Sequence, residues 1–397
     1  MTRREFIKNS SALGIGFPFI SLLLDACSKD DVFMNAFDVN FSGKVLIIGA
    51  GAAGLTAGHI LNKHNIDFEI IEASSVFGGR VKRIDNFADF PIDLGGEWIH
   101  TEPSIFAKLL NEPATNGNIE LIRYSPDSIY TWHNNKLSSH NWASNFYGEY
   151  KFKNSTWYGF FEKYIVPNIR DKIIYNTPVN EIDYSADKVF VKSINNDTFE
   201  ADKILVTVPV SILKSNAIRF LPNLPPEKMN ALNNVYMPDI LKVFIEFSED
   251  FYPDILLFGG LFDSDSQDKI FYDAAFRKDS NRNILGLFVI GDQASVYANM
   301  DSEEEIINTI IAELDEIFDG KASAKYIKHI IQDWTKEPYI QGSYAHFDGS
   351  ESETIEILSQ PVDNKLYFAG EAYAADTATV HGAGESAYSA VETILNG

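Results

Sequence analysis

Three glycines spaced i, i+2 and i+5 (Gly49, Gly51 and Gly54) stand in the run KVLIIGAGAAGLTAGHIL, Lys44 to Leu61. That spacing serves phosphate chemistry. The first glycine allows a tight turn, the second lets backbone approach a pyrophosphate, and the third lets a helix pack closely on a strand. Ala50 and Ala53, inside the turn, join them as candidate cofactor contacts. Glu72 ends the next β-rich run, DFEIIEA, and lies 21 residues after Gly51 (72 − 51), with Ala73 behind it. A carboxylate at that distance accepts from a ribose hydroxyl. Farther along, Lys242 sits between Leu241 and Val243 on an apolar strand-like run, where a bare cation is costly.

The elements that must hold these groups are legible around them. VLIIG has the pattern of a buried strand, and the helix after the turn aims its N-terminus at the phosphates. Strand, turn, helix, strand and terminal acid make a dinucleotide unit, which by itself does not separate NAD from FAD. The 397 residues suffice for two domains, and 45% hydrophobic with 22% charged residues is ordinary for a globular chain. A net charge of −23 excludes nucleic acid as a partner, whose binding needs a basic face, and favours cationic small molecules. The 29 Phe and 18 Tyr suit aromatic-lined pockets. The single cysteine, Cys27, rules out an internal disulfide and a cysteine metal site, and no metal is expected.

Residues 1–31 read as a targeting segment. Arg3 and Arg4 form a twin-arginine pair, Ala12 to Leu24 is an apolar run too short for an ordinary membrane span, and LDAC (Leu24 to Cys27) resembles a lipobox despite Asp25. The resemblance is to a bacterial twin-arginine lipoprotein signal. It implies export, cleavage before Cys27, and a lipid anchor in the periplasm or at the cell surface; an uncleaved single-helix anchor is the alternative. Since that route carries folded proteins, it suits a chain that loads a cofactor before export.

EASSVFGGRVKR (Glu72 to Arg83) narrows the cofactor. Here the chain resembles the GG-motif flavoproteins, specifically the flavin-containing amine oxidase family, with Gly78, Gly79 and Arg80 as the signature. Val76 replaces an arginine common two residues before the glycines. Four more blocks carry the resemblance in family order: DLGGEWIH (Asp93 to His100), TPVNEI (Thr177 to Ile182), DKILVTVPVSIL (Asp202 to Leu213) and the stretch from Leu366 to Leu395 with FAGE and TVHGA. The resemblance implies bound FAD, with Gly79 and Arg80 at phosphate or flavin and Gly95, Gly96, Glu97 and Trp98 passing the ring. It further implies Val179 at the adenine, Gly370 and Glu371 at the ribityl chain, and Thr379, Val380 and Ala383 at the flavin's polar edge. Some members tether flavin through cysteine near this last turn. Ala378 and its neighbours offer no sulfur, so non-covalent FAD is expected.

The fold class that follows is α/β: a Rossmann-type FAD-binding domain of parallel sheet and helices, plus a mixed α+β substrate domain. The expected division is a signal over 1–27, a tether over 28–42, a discontinuous FAD domain over 43–105, 170–213 and 360–397, and a substrate domain over 106–169 and 214–359. DSEEEIINTIIAELDEIF (Asp301 to Phe318) reads as an amphipathic helix capped by Asp301 or Ser302. By resemblance Lys242 reaches flavin N5 through a water, Glu97 and His100 line the substrate tunnel, and Trp334 packs near the flavin; these are the candidate catalytic residues. His381 reads as structural. Thr379 replaces one tyrosine of a monoamine-oxidase cage, and GGEWIH lacks the arginine that grips an amino-acid carboxylate, although Arg83 can still supply one. The expected substrate is a small-molecule amine, polyamine or monoamine, with oxygen or a redox carrier as acceptor. An L-amino-acid oxidase, a C–C desaturase-type flavoenzyme and a non-catalytic FAD scaffold stay open. The lipobox reading has a direct check: metabolic lipid labelling should be lost in Cys27→Ala, and labelling that survives would refute it.

Overall fold

The computed structural model describes residues 39–397 except 113–118, 147, 262 and 264–267. The twin-arginine pair, the apolar run and Cys27 lie outside the described residues.

Five parallel strands form the first sheet, in the order Leu366–Phe368, Lys203–Val206, Lys44–Ile48, Asp67–Ile71, Ile173–Ile174. The central strand is apolar from Val45 to Ile48 because both of its faces are covered there. Val45 and Ile47 point to a helical layer, where they meet Leu55, Ile60, Phe160, Tyr388 and Val391. Leu46 and Ile48 point the other way, to a core with Ile182, Val191 and Leu213 under a four-stranded sheet. The helix Ala52–Lys63 and the last helix, Val380–Asn396, pack against each other in the first layer. They cross closely at Gly384, where a Cβ would come within 3.4 Å of the Thr56 hydroxyl oxygen on the other helix.

A seven-stranded, mainly antiparallel sheet forms the second half: Tyr326–Asp333, Ile240–Phe247, Asn283–Ile290, Lys269–Asp273, Ile255–Phe258, Ile129–His133, Lys136–Ser139. One face is buried under the helix Glu303–Ile317: Leu241, Val243, Leu287 and Val289 meet Ile306, Ile310 and Leu314. Ser302 is the cap, its hydroxyl accepting from the Glu305 amide, and three glutamates fill the first turn. The strand Ile240–Phe247 opens with alternation in sequence, yet all eight of its residues are buried. The reason is that the opposite face, carrying Lys242 and Phe244, is covered by the loop Asp93–Glu97 and by Phe90 and Ile92. That covered face is where the two halves meet.

Candidate active site

Gly49 adopts φ +110°, and a Cβ on Gly54 would lie 1.9 Å from the Gly49 carbonyl oxygen, so the helix sits directly on the turn. Gly51 differs. A Cβ there would meet only the Gly78 carbonyl oxygen, at 4.0 Å. The space above Gly51 is therefore open, as close approach of a ligand requires. Glu72 accepts from the Ala50 amide at 2.7 Å and the Ser74 amide at 2.8 Å, locking the turn to the end of the second strand. Burial raises the Glu72 carboxyl above its ordinary value, with those two amides pulling the other way.

These groups border a cavity of about 1430 Å³. It exceeds the roughly 300–1000 Å³ of a usual small-molecule pocket, as a dinucleotide with room for a substrate would need. Of the expected cofactor contacts, Gly49, Gly51, Ala53, Glu72, Ala73, Gly79, Arg80, Gly95, Gly96, Glu97, Trp98, Val179, Gly370, Glu371, Thr379, Val380 and Ala383 line it. Ala50 and Gly54 do not: one gives its amide to Glu72, the other packs under Gly49. Lys242, His100 and Trp334 also line it. The residues present fit a dinucleotide: a side-chain-free approach at Gly51, a carboxylate at the second strand's end, and the N-terminus of the Ala52–Lys63 helix with no side-chain cap.

Arg80 and Glu371 hold each other. Arg80 Nη1 donates to Glu371 Oε1 and to the Ser343 carbonyl, both at 2.8 Å. Glu371 accepts as well from the Ala345 and Ala378 amides, 3.2 Å to its Oε2 in each case. Ala378 has φ +63°, a left-handed conformation uncommon for alanine. The bond to Glu371 holds the turn just before the last helix. Thr379 then caps that helix, its hydroxyl accepting from the Gly382 amide at 2.9 Å. His381 is buried beside Asp376, 3.5 Å away.

The second cluster lies where the sheets meet. Lys242 Nζ donates to the carbonyls of Asp93 at 2.9 Å and Gly95 at 3.0 Å and to Glu97 Oε2 at 2.8 Å. Glu97 Oε1 pairs with Lys151 at 2.7 Å, and the Tyr272 hydroxyl donates to Oε2 at 2.5 Å. Glu97, expected to line the substrate tunnel, thus has both oxygens on the chain's own cations. Burial opposes its charge, but Lys151 and Lys242 outweigh that and hold the carboxyl well below the usual range. Asp93 goes the other way: burial, then repulsion from Glu97, push its carboxyl well above the usual range. Burial and Glu97 likewise keep the Tyr272 phenol protonated. Trp334 anchors the same loop through its indole N–H on the Leu94 carbonyl, at 2.9 Å.

His100 is half-buried, its Nδ1 3.2 Å from Glu149 Oε2. Arg83 is committed to Asp85 at 2.9 Å and Glu162 at 2.8 Å. Sequence reasoning missed Glu149, Lys151, Tyr272 and Asp93. Glu149 and Lys151 alternate on one short strand, Glu149–Phe152, which was the one signal available for them.

Residues 161–395 match the family of flavin-containing amine oxidoreductases. The chain belongs to that family. Residues 47–112 match the NAD(P)-binding Rossmann-like domain, and the cofactor is FAD. Among similar proteins, lysine-specific histone demethylase 1 homolog 3 of Arabidopsis thaliana is 31% identical over 203 residues, covering 50% of this chain and 12% of that protein. Polyamine oxidase 5 of Oryza sativa subsp. japonica is 28% identical over 219 residues, 55% of this chain and 43% of that protein. The chain thus spans less than half the length of either relative. Putrescine oxidase with putrescine bound superposes with TM-score 0.75 at 16% identity, over 90% of this chain and 100% of that one. Cyclohexylamine oxidase from Brevibacterium oxydans IH-35A gives TM-score 0.75 at 17% identity, over 90% and 99%. These likenesses show the fold.

In this family member Glu371 joins the glycine-rich side of the cavity to the last helix. Glu371→Ala would leave Arg80 with only the Ser343 carbonyl and two amides without their acceptor, at a cost of about 1–3 kcal/mol for the stranded donors. The purified variant should retain at least tenfold less flavin per chain, read by visible absorbance against protein concentration.

Proposed function

We propose that the protein oxidises the C–N bond of an amine to an imine, in one cavity that joins the dinucleotide cradle to the face of the seven-stranded sheet bearing Lys242. FAD, when bound, accepts the hydride from the carbon beside nitrogen. The observation that carries the reading is the placement of Lys242: a lysine on an apolar strand, fixed by three acceptors, at the loop that borders the cradle. Trp334 pins that loop. An amine must be neutral at nitrogen to give up hydride, and the His100–Glu149 pair offers an imidazole backed by a carboxylate to take the proton.

The sheet supports a substrate class. Lys242, Phe288, Ile270 and Leu257 stand opposite one another across adjacent strands, and Tyr272 and Ile255 form the next row. All six border the cavity, and apart from Lys242 and the Tyr272 hydroxyl this floor is hydrocarbon. It suits a monoamine with an apolar body better than a polyamine, whose further charges would lie on it unpaired. Arg80 and Arg83, the two arginines bordering the cavity among the described residues, are both paired with carboxylates, which disfavours an amino-acid substrate. Oxygen or a redox carrier serves as acceptor. The N-terminal sequence supports export and a lipid anchor at Cys27.

Anaerobic addition of hexylamine, spermidine or L-leucine to the purified flavoprotein tests this. Hexylamine should bleach the visible flavin bands fastest. Faster bleaching by spermidine would move the substrate to polyamines, and bleaching by none of a wider amine panel would overturn C–N oxidation. FAD is held without a covalent bond on this reading, since the only cysteine is Cys27. Acid precipitation should release all of the flavin, and colour left on the pellet would refute that.

A further inference from the structure

Glu97 is shared between two cations from opposite sides. Lys242 comes from the strand Ile240–Phe247 and borders the cavity. Lys151 comes from the strand Glu149–Phe152 and does not. Lys151 is 3% exposed. Its ammonium lies 4.7 Å from the Trp98 ring centre, 4.9 Å from that of Tyr272 and 5.3 Å from that of Tyr124. Three aromatic rings and one carboxylate make a box for a cation. Two of those rings, Trp98 and Tyr272, are also cavity wall.

The charges around this box do not cancel. Lys151, Lys242 and Lys278 gather about the two carboxyls of Glu97 and Asp93. Lys278 Nζ donates to the Phe152 carbonyl at 2.9 Å and the Lys153 carbonyl at 3.2 Å. Asp273 lies near enough to Lys151 to feel its charge, so with Asp273 and Glu97 ionised and Asp93 held protonated, cations outnumber anions three to two. If Lys151 were absent, Lys242 would be the one cation left in direct ion pair with Glu97. Buried charges of this kind are screened little by salt.

We propose that Lys151 is a positioning residue: acting through Glu97, it fixes Lys242 at the cavity wall and leaves that wall positively charged beside the cofactor. The proposal rests on the reading that FAD lies in the cavity with its ring at Lys242. Positive charge held beside the ring favours the reduced, more negative state.

The test is the midpoint potential of the bound flavin in the full chain, by anaerobic spectral titration, for wild type, Lys151→Met, Lys151→Arg and Glu97→Gln. Lys151→Met should shift the equilibrium about tenfold toward oxidised flavin, a fall of about 30 mV for a two-electron couple. Lys151→Arg should restore most of that shift. Glu97→Gln removes the anion while Lys242 keeps its two carbonyl acceptors, so the potential should rise by a similar amount. A purely structural role would move both variants the same way or neither. Equal potentials in wild type and Lys151→Met, or a shared direction for Lys151→Met and Glu97→Gln, overturn the proposal. Should Lys151→Met fail to fold with flavin, Glu97→Gln decides: a rise supports the proposal and no rise overturns it. Wild-type protein that holds no flavin would sink the cofactor assignment first, and the proposal with it.

Discussion

The carboxylate of Glu97 is the point on which the two halves of the molecule agree. It lies in a loop of the dinucleotide half, and it is gripped by Lys242 and Tyr272 from two strands of the seven-stranded sheet and by Lys151 from the separate short strand Glu149–Phe152. A buried carboxylate costs several kcal/mol in lost hydration unless such partners are in place. Any displacement of the seven-stranded sheet would strand that charge. The sheet is therefore held at one distance from the cradle by electrostatics that tolerate little slack, and hydrocarbon packing around Phe244, Tyr272 and Ile92 follows the same seam. The loop carbonyls of Asp93 and Gly95 add to the hold without adding charge.

A second junction does the same work within the dinucleotide half. Glu371 and Arg80 are 291 positions apart in the chain, and their pairing brings the first glycine-rich segment, the Ser343–Ala345 segment and the last helix to one rim. Because the half is assembled from distant stretches, its binding surface exists only once the whole chain has folded. The crossing at Gly384, which brings the first and last helices together, belongs to that closure.

What the sequence revealed and what it hid divide along physical lines. The glycine turn, Glu72 and the capped helix over Glu303–Ile317 are local: their chemistry is written in neighbouring residues, and spacing alone exposes them. Lys242 stood out because a cation in an apolar run needs an explanation. Glu97 and Gly95 stood out as well, but not as its partners. Tyr272 reaches Glu97 because its strand lies two places from that of Lys242, with Gly286 between, and no pattern along the chain encodes that register. Lys151 and Glu149 lie on a short strand where they pair with Ile122 and Tyr124, 29 and 25 positions earlier in the chain (151 − 122 and 149 − 124). Residue identities also left open whom a charged group serves. Arg80, Glu371, Glu97 and Arg83 all look available for a ligand, and in the fold each is bonded to the chain itself.

Gly286 marks one last property of this architecture. Placed opposite Tyr272, it lets the phenol ring lie flat across the neighbouring strand, within 2.6 Å of where a Cβ would be. The rows of the floor beside it, Lys242 to Phe288 to Ile270 to Leu257, advance one strand at a time. Neighbouring strands are about 4.8 Å apart. The floor is thus a ruler with fixed graduations: a guest laid across it meets a new side chain at each step, and selection for length would act in whole strand spacings rather than continuously.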